Sequence, residues 1–183
     1  MLELQQAGRS QMIDKTRRRY VAAVLGTPIS AVFAQSTFSP KTMTPLQASK
    51  LADGAVTIVQ KLTGRQLDFS PGSLEEIDRF VLQLRSEGNP VQSVQTFLLA
   101  IGCYVGEVFI RNLGMTWHQV TDAAIAETMP YIAVRSLSST VVANPIGKVF
   151  KLFESGADES VWGLYLAVES RKVETLLAAP PAK

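Results

Sequence analysis

A chain of 183 residues suits one domain, or one domain with an appendage, and can bury roughly 70% of its unfolded surface without help from disulfides or metals. Hydrophobic and charged fractions of 46% and 19% are those of a globular protein leaning apolar, and a net charge of +2 calls for no nucleic acid, anionic membrane or acidic ligand. One cysteine (Cys103) and one histidine (His118) exclude an intrachain disulfide and a Cys/His zinc site; the carboxylates are too scattered to suggest a metal, and nothing implies a cofactor.

Residues 1–9 read as a frayed start, and Ser10–Leu25 as a first helix with Ile13, Arg17, Tyr20, Val21 and Val24 on adjoining turns, ended by Gly26 and Pro28. Arg17, Arg18 and Arg19 form the basic cluster of the chain and are read as a solvated helix face, with anion or membrane-surface binding as the alternative. The apolar stretch that follows them, closing on Val32-Phe33-Ala34, has the order of an export signal. Glu3 and Asp14 precede it, however, and Gly26-Thr27-Pro28 interrupts it. The segment is therefore read as an uncleaved helix of a cytoplasmic protein, with export as the alternative. A Ser/Thr/Pro-rich linker completes an N-terminal arm over 1–43. The main body is placed at 44–177, and 178–183 as a disordered tail.

Thr44, Pro45 and Gln47 predict a capped helix start, followed by Leu46, Leu51, Ala55, Ile58, Val59 and Leu62 as its stripe, with Gly64 as the stop. Arg65–Phe69 reads as a short extended piece that adds a sheet edge. Ser73, with Glu76 three residues on, predicts a second capping box ahead of the amphipathic run Leu74, Ile77, Phe80, Val81, Leu84.

The next helix, about Val91 to Leu113, is apolar all round and so must be buried centrally. Its apolar run falls short of the eighteen or so residues of a membrane span and carries Glu107, so no integral membrane segment is expected. Gly102 and Gly106 each cost roughly 1 kcal/mol in helix propensity, which predicts close approach by another backbone. Met115–Val120 and Tyr131–Val142 read as strands, with a loop or turn at Ala123–Met129. Asn144-Pro145 opens a further helix carrying Val149, Phe150 and Phe153 inward, and Gly156 ends it. Asp158 or Ser160 then caps a last helix striped by Val161, Leu164, Tyr165 and Val168. The fold class is α+β: five or six helices around the central helix, with a small antiparallel sheet.

The chemistry-bearing residues are few. Glu107 is a carboxylate inside a buried helix, which suits a general acid or base. Arg111, one turn on and in the favourable order, offers the structural alternative of an internal ion pair. His118 lacks a recognisable nucleophile, and Cys103 sits among apolar residues as a small hydrophobe. Phosphate-binding glycine loops and internal repeats are absent from the sequence.

The segments LDFSPGSLEEIDRFVLQL (67–84), AIGCYVGEVFIRNLGMTW (100–117) and ANPIGKVFKLFESGADESV (143–161) resemble a group of uncharacterised bacterial domains that share a G-x-Y-x-G-E-V-x-x-R-N-L-G-x-x-W signature. The resemblance spans about residues 45–168 and falls on Tyr104, Gly106, Glu107, Arg111, Asn112 and Trp117. It implies a bacterial α+β domain and no particular activity. The expected function is a non-enzymatic protein-interaction module with a protein partner or a homo-oligomeric state, such as an immunity or accessory protein of a secreted effector. Tyr104, Arg111, Asn112 and Trp117 are its candidate binding residues. The alternative is a hydrolase-like or small-ligand-binding domain using Glu107, Arg111 and His118.

Overall fold

The computed structural model describes residues 43–120, 132–137 and 140–178, without the side chains of 172–178. The expected helix at 10–25, the Arg17–Arg19 cluster, the loop at 123–129 and the tail from 179 lie outside these residues. Among the described residues, five α-helices and a three-stranded antiparallel sheet make an α+β fold.

Helix α1 (Pro45–Thr63) begins as its sequence dictates. Gln47 N–H donates to Thr44 Oγ1 at 3.3 Å, and Thr44 N–H donates to Gln47 Oε1 at 2.8 Å. Its buried face is Ala48, Leu51, Ala52, Ala55 and Val59, small enough to let the helix lie close to its neighbour. Leu46, expected in the stripe, is instead 66% exposed. It stands five residues before Leu51, about 140° round the helix.

Two expectations fail between α1 and α2 (Ser73–Ser86). Arg65–Phe69 forms no strand, because the peptide groups of Phe69 bond to side chains rather than to a ladder. Ser73 is not a cap either: α2 opens on Gly72 without a capping side chain, and the Ser73 hydroxyl donates back to the Ser70 carbonyl at 2.6 Å. Glu76 turns to Arg65 and Arg79 instead of closing a box.

Helix α3 (Val91–Leu113) is the centre. Its run from Phe97 to Phe109 is buried without a break, and it packs chiefly against α1 and α4 (Pro145–Ser155). By length and composition α3 could cross a bilayer, but 78% of its most apolar stretch is covered by the rest of the protein. Gly102 works as expected: a Cβ there would lie 2.6 Å from Ile146 Cα, so the α4 backbone occupies the missing side chain's place. Gly106 does not. Its vacancy is filled by the Trp117 indole, with a built Cβ only 2.0 Å from Cη2.

Gly114 ends α3 in the left-handed conformation and turns the chain into β1 (Met115–His118). The sheet order is β1, β2 (Ala133–Ser136), β3 (Val142–Ala143), all antiparallel, with Thr116 opposite Arg135 and Arg135 opposite Val142. Met115, Trp117, Val134, Ser136 and Ala143 are buried; Thr116, Arg135 and Val142 are exposed. Asn144 Oδ1 caps α4 by accepting from Gly147 N–H at 2.8 Å. After a 3₁₀ turn (Ala157–Glu159) comes α5 (Val161–Ala178), where Ser160 Oγ accepts from Gly163 N–H at 2.9 Å.

Helix α2 fastens both neighbouring ends. Asp78 accepts from Val161 N–H at 2.8 Å, from Trp162 N–H at 3.3 Å and from Ser160 Oγ at 2.6 Å. Arg85 donates to the Phe153 and Glu154 carbonyls at 2.9 and 3.0 Å. Seven residues apart, they sit on one face. The anion meets the positive start of α5 and the cation the negative end of α4, each complementing a helix dipole.

Candidate functional site: the Glu107 tie and the Phe69 corner

Glu107 is 6% exposed, so its carboxylate must be matched from within the fold. Three elements supply the match. Ser49 of α1 donates to Oε1 at 2.6 Å, and the Trp117 indole N–H of β1 donates to the same oxygen at 2.9 Å. Arg111 Nε of α3 lies 3.6 Å from Oε2. The spacing Gly106-Glu107 to Trp117 now has a physical reason. Gly106 removes the one Cβ that would block the ring, and Glu107 receives the ring's N–H.

Tyr104 is fully buried and anchors a second group of contacts. Its Oη accepts from Phe69 N–H at 2.9 Å and lies 2.6 Å from Ser73 Oγ. Because Ser73 donates to the Ser70 carbonyl, the proton between the two hydroxyls belongs to Tyr104. The chain therefore runs from Phe69 N–H through Tyr104 and Ser73 to Ser70, with each group satisfied. Burial pushes the Tyr104 phenol above its ordinary value, against the opposing bonds from Ser73 and Phe69.

Phe69 is the centre of this corner. Its φ of 60° is the one left-handed non-glycine conformation among the described residues. Such a conformation costs a bulky residue on the order of 1–3 kcal/mol and persists only where the surroundings enforce it. They do so from every side. Asn112 Nδ2 donates to the Phe69 carbonyl at 2.9 Å, the Phe69 ring lies 4.7 Å from that of Tyr104, and the Arg111 guanidinium sits 3.5 Å above it. Asp68 accepts from Ser70 N–H at 2.9 Å, and those bonds from Ser70 hold its carboxyl below the usual range.

Tyr104, Glu107, Arg111, Asn112 and Trp117 thus belong to one assembly. Tyr104 and Trp117 are its buried supports; Arg111 and Asn112 are its exposed face, with Phe69 half-buried beside them. His118 does not join. It follows Trp117 on β1, so strand alternation sends its imidazole to the side opposite the indole that holds Glu107. Cys103 is buried with its thiol pushed up by burial first and by Glu107 second; its Sγ lies 3.7 Å from Met43 Sδ. Sequence reasoning missed Phe69 and Ser49 and gave Ser73 a capping role rather than this one; the S-P-G turn after Phe69 was the nearest signal.

Among the described residues no buried side-chain nitrogen or oxygen lacks a partner, and no three His, Cys, Asp or Glu side chains gather where a metal could sit. Compared with known proteins, the chain matches no family model, no curated protein and no solved structure.

Proposed function

We propose that the protein is a non-enzymatic interaction module whose contact surface is the corner formed by Phe69, Arg111 and Asn112. The observation that carries this reading is the left-handed Phe69. Backbone strain is accepted there, and Tyr104, Arg111 and Asn112 hold a half-buried aromatic ring beneath an exposed guanidinium. Aromatic and arginine side chains fixed in advance lose little entropy on binding, and these residue types dominate the energetics of protein interfaces.

Glu107 supports the same reading. A general acid or base must reach its substrate. Here both oxygens are taken up by Ser49, Trp117 and Arg111, and His118 leaves β1 on the other side. The resemblance of the central signature to uncharacterised bacterial domains suggests a bacterial setting. A cytoplasmic immunity or accessory protein of a secreted effector is one concrete form of such a module.

The test compares affinity capture by the wild-type chain with capture by Arg111→Ala and Phe69→Gly, each first checked for native circular dichroism and cooperative unfolding. A protein retained by the wild type and lost by both folded variants is the expected result. Equal capture by all three would sink the assignment of this corner. A hydrolytic activity that disappears in a stably folded Glu107→Gln variant would overturn the non-enzymatic reading itself.

A further inference from the structure

Arg111 is held on two sides and open on a third. Its Nε faces Glu107 Oε2 at 3.6 Å, and its Cζ lies 3.5 Å from the centre of the Phe69 ring. The side chain is nonetheless 47% exposed, and among the described residues its two terminal nitrogens meet no hydrogen-bond acceptor. The stack and the Nε contact fix the guanidinium plane, so the remaining N–H groups are presented as a rigid planar fork. Asn112 is open in the opposite sense. Its Nδ2 protons are engaged by the Phe69 and Val108 carbonyls, at 2.9 and 2.8 Å, which leaves Oδ1 as an exposed acceptor. A fork of donors and a lone acceptor therefore flank Phe69.

We propose that the corner receives the free C-terminal carboxylate of a partner protein, a recognition that rests on this corner being the contact surface. Arg111 holds the two carboxylate oxygens, and Asn112 Oδ1 accepts from the backbone N–H of the terminal residue. The fork matches both oxygens at once, and charge-assisted pairs of this kind are roughly twice as strong as neutral hydrogen bonds. Phosphate fits a guanidinium fork too. Two carboxylates already stand here, however: Glu107 against Nε, and Asp68 beside Phe69 with its oxygen on Ser70 N–H. A doubly charged group feels roughly twice their repulsion, so a single negative charge suits the corner better. Aspartate and glutamate side chains carry that charge as well. At a chain end the N–H and the carboxylate share one α-carbon, whereas in a side chain at least one further rotatable bond separates them. A fixed fork beside a fixed acceptor favours the chain end, which loses less freedom on binding.

The experiment uses the full chain to select from random peptides anchored at their N-termini and ending in a free carboxylate. Peptides should be enriched, and the same sequences remade with a C-terminal amide should lose roughly tenfold or more in affinity, as loss of a charge-assisted pair implies. Arg111→Lys keeps the charge beside Glu107 but not the planar fork. It should weaken binding of the free acids by a similar factor while keeping native circular dichroism. No enrichment overturns the proposal, and so do amides that bind as tightly as the acids, which would point to acidic side chains or the backbone. Equal affinity for Arg111→Lys overturns it as well, and so does inorganic phosphate that displaces the peptides better than acetate does. Failure of the corner itself would look different. A protein that Arg111→Ala and Phe69→Gly no longer capture, yet that the wild type retains after carboxypeptidase has trimmed it, keeps the corner and removes the C-terminal recognition.

Discussion

Glu107 separates charge from hydrogen bonding when it is replaced. Glu107→Ala removes the acceptor of Trp117 and Ser49 together. A buried donor left unpaired costs about 1–3 kcal/mol, so the variant should lose about 3 kcal/mol in urea denaturation. Glu107→Gln keeps an acceptor and loses the ion pair to the half-exposed Arg111, so about 1 kcal/mol is expected. The glycines of α3 make a second test. Alanine would ordinarily gain roughly 1 kcal/mol of helix propensity at either place. At Gly102 the new methyl meets the Ile146 backbone, and at Gly106 it meets the Trp117 ring. Both should destabilise by about 1–3 kcal/mol net, as overpacked cores do. Gly106→Ala should also displace the indole from Glu107, read as a change in tryptophan fluorescence that Gly102→Ala does not share. The choice of glycine was visible in the sequence; which neighbour fills each gap was not. One gap is filled by a helix 44 residues further on, the other by a ring 11 residues on.

At the scale of elements, α2 links α4 and α5 through Asp78 and Arg85. Asp78→Ala strips the start of α5 of a carboxylate that accepts two backbone N–H groups. A loss of about 1–2 kcal/mol is expected, in the range of a helix cap. Amide hydrogen exchange should rise first at Val161 and Trp162, and Asp78→Asn should recover part of the protection. An even rise over the whole protein would contradict a local capping role. The sequence could place α2 from its stripe and the start of α5 near Asp158 or Ser160. It could not place Asp78 at the other helix's start, because that cap spans 83 residues. The same limit explains the failed capping box: Ser73 has the right residue type and spacing, yet Tyr104 and Ser70 compete for its hydroxyl and win.

The whole molecule should respond to pH at both ends. Asp68 and Glu159 have their carboxyl groups held below the ordinary value, the first by Ser70 and the second by Lys148. Groups with a lowered folded pKa contribute stability above the unfolded value and lose it as pH falls through the folded one. Thermal midpoints should therefore fall on acidification through the carboxylate range, less steeply in Asp68→Asn. Tyr104 and Tyr165 have raised phenols, mainly through burial. Their contribution is full below the ordinary tyrosine value and is lost as pH rises above it. Phenolate absorbance should show them titrating late, together with loss of the fold, and Tyr104→Phe should shift that alkaline transition.

Periodicity and end signals in the sequence were enough for the α+β class, the central helix from 91 to 113, the Thr44 cap and the Gly114 turn. These depend on residues close along the chain, where local sterics and one apolar face decide the outcome. The stretch from 100 to 117 offered Tyr104, Glu107, Arg111, Asn112 and Trp117 as candidates, without saying what they hold. Only the tertiary structure decided that. It set Trp117 and Ser49 on Glu107, bent Phe69 into a left-handed turn and turned Leu46 outward. Each of these results from satisfying buried polar groups and filling gaps between distant segments, a competition that no local stretch of sequence contains.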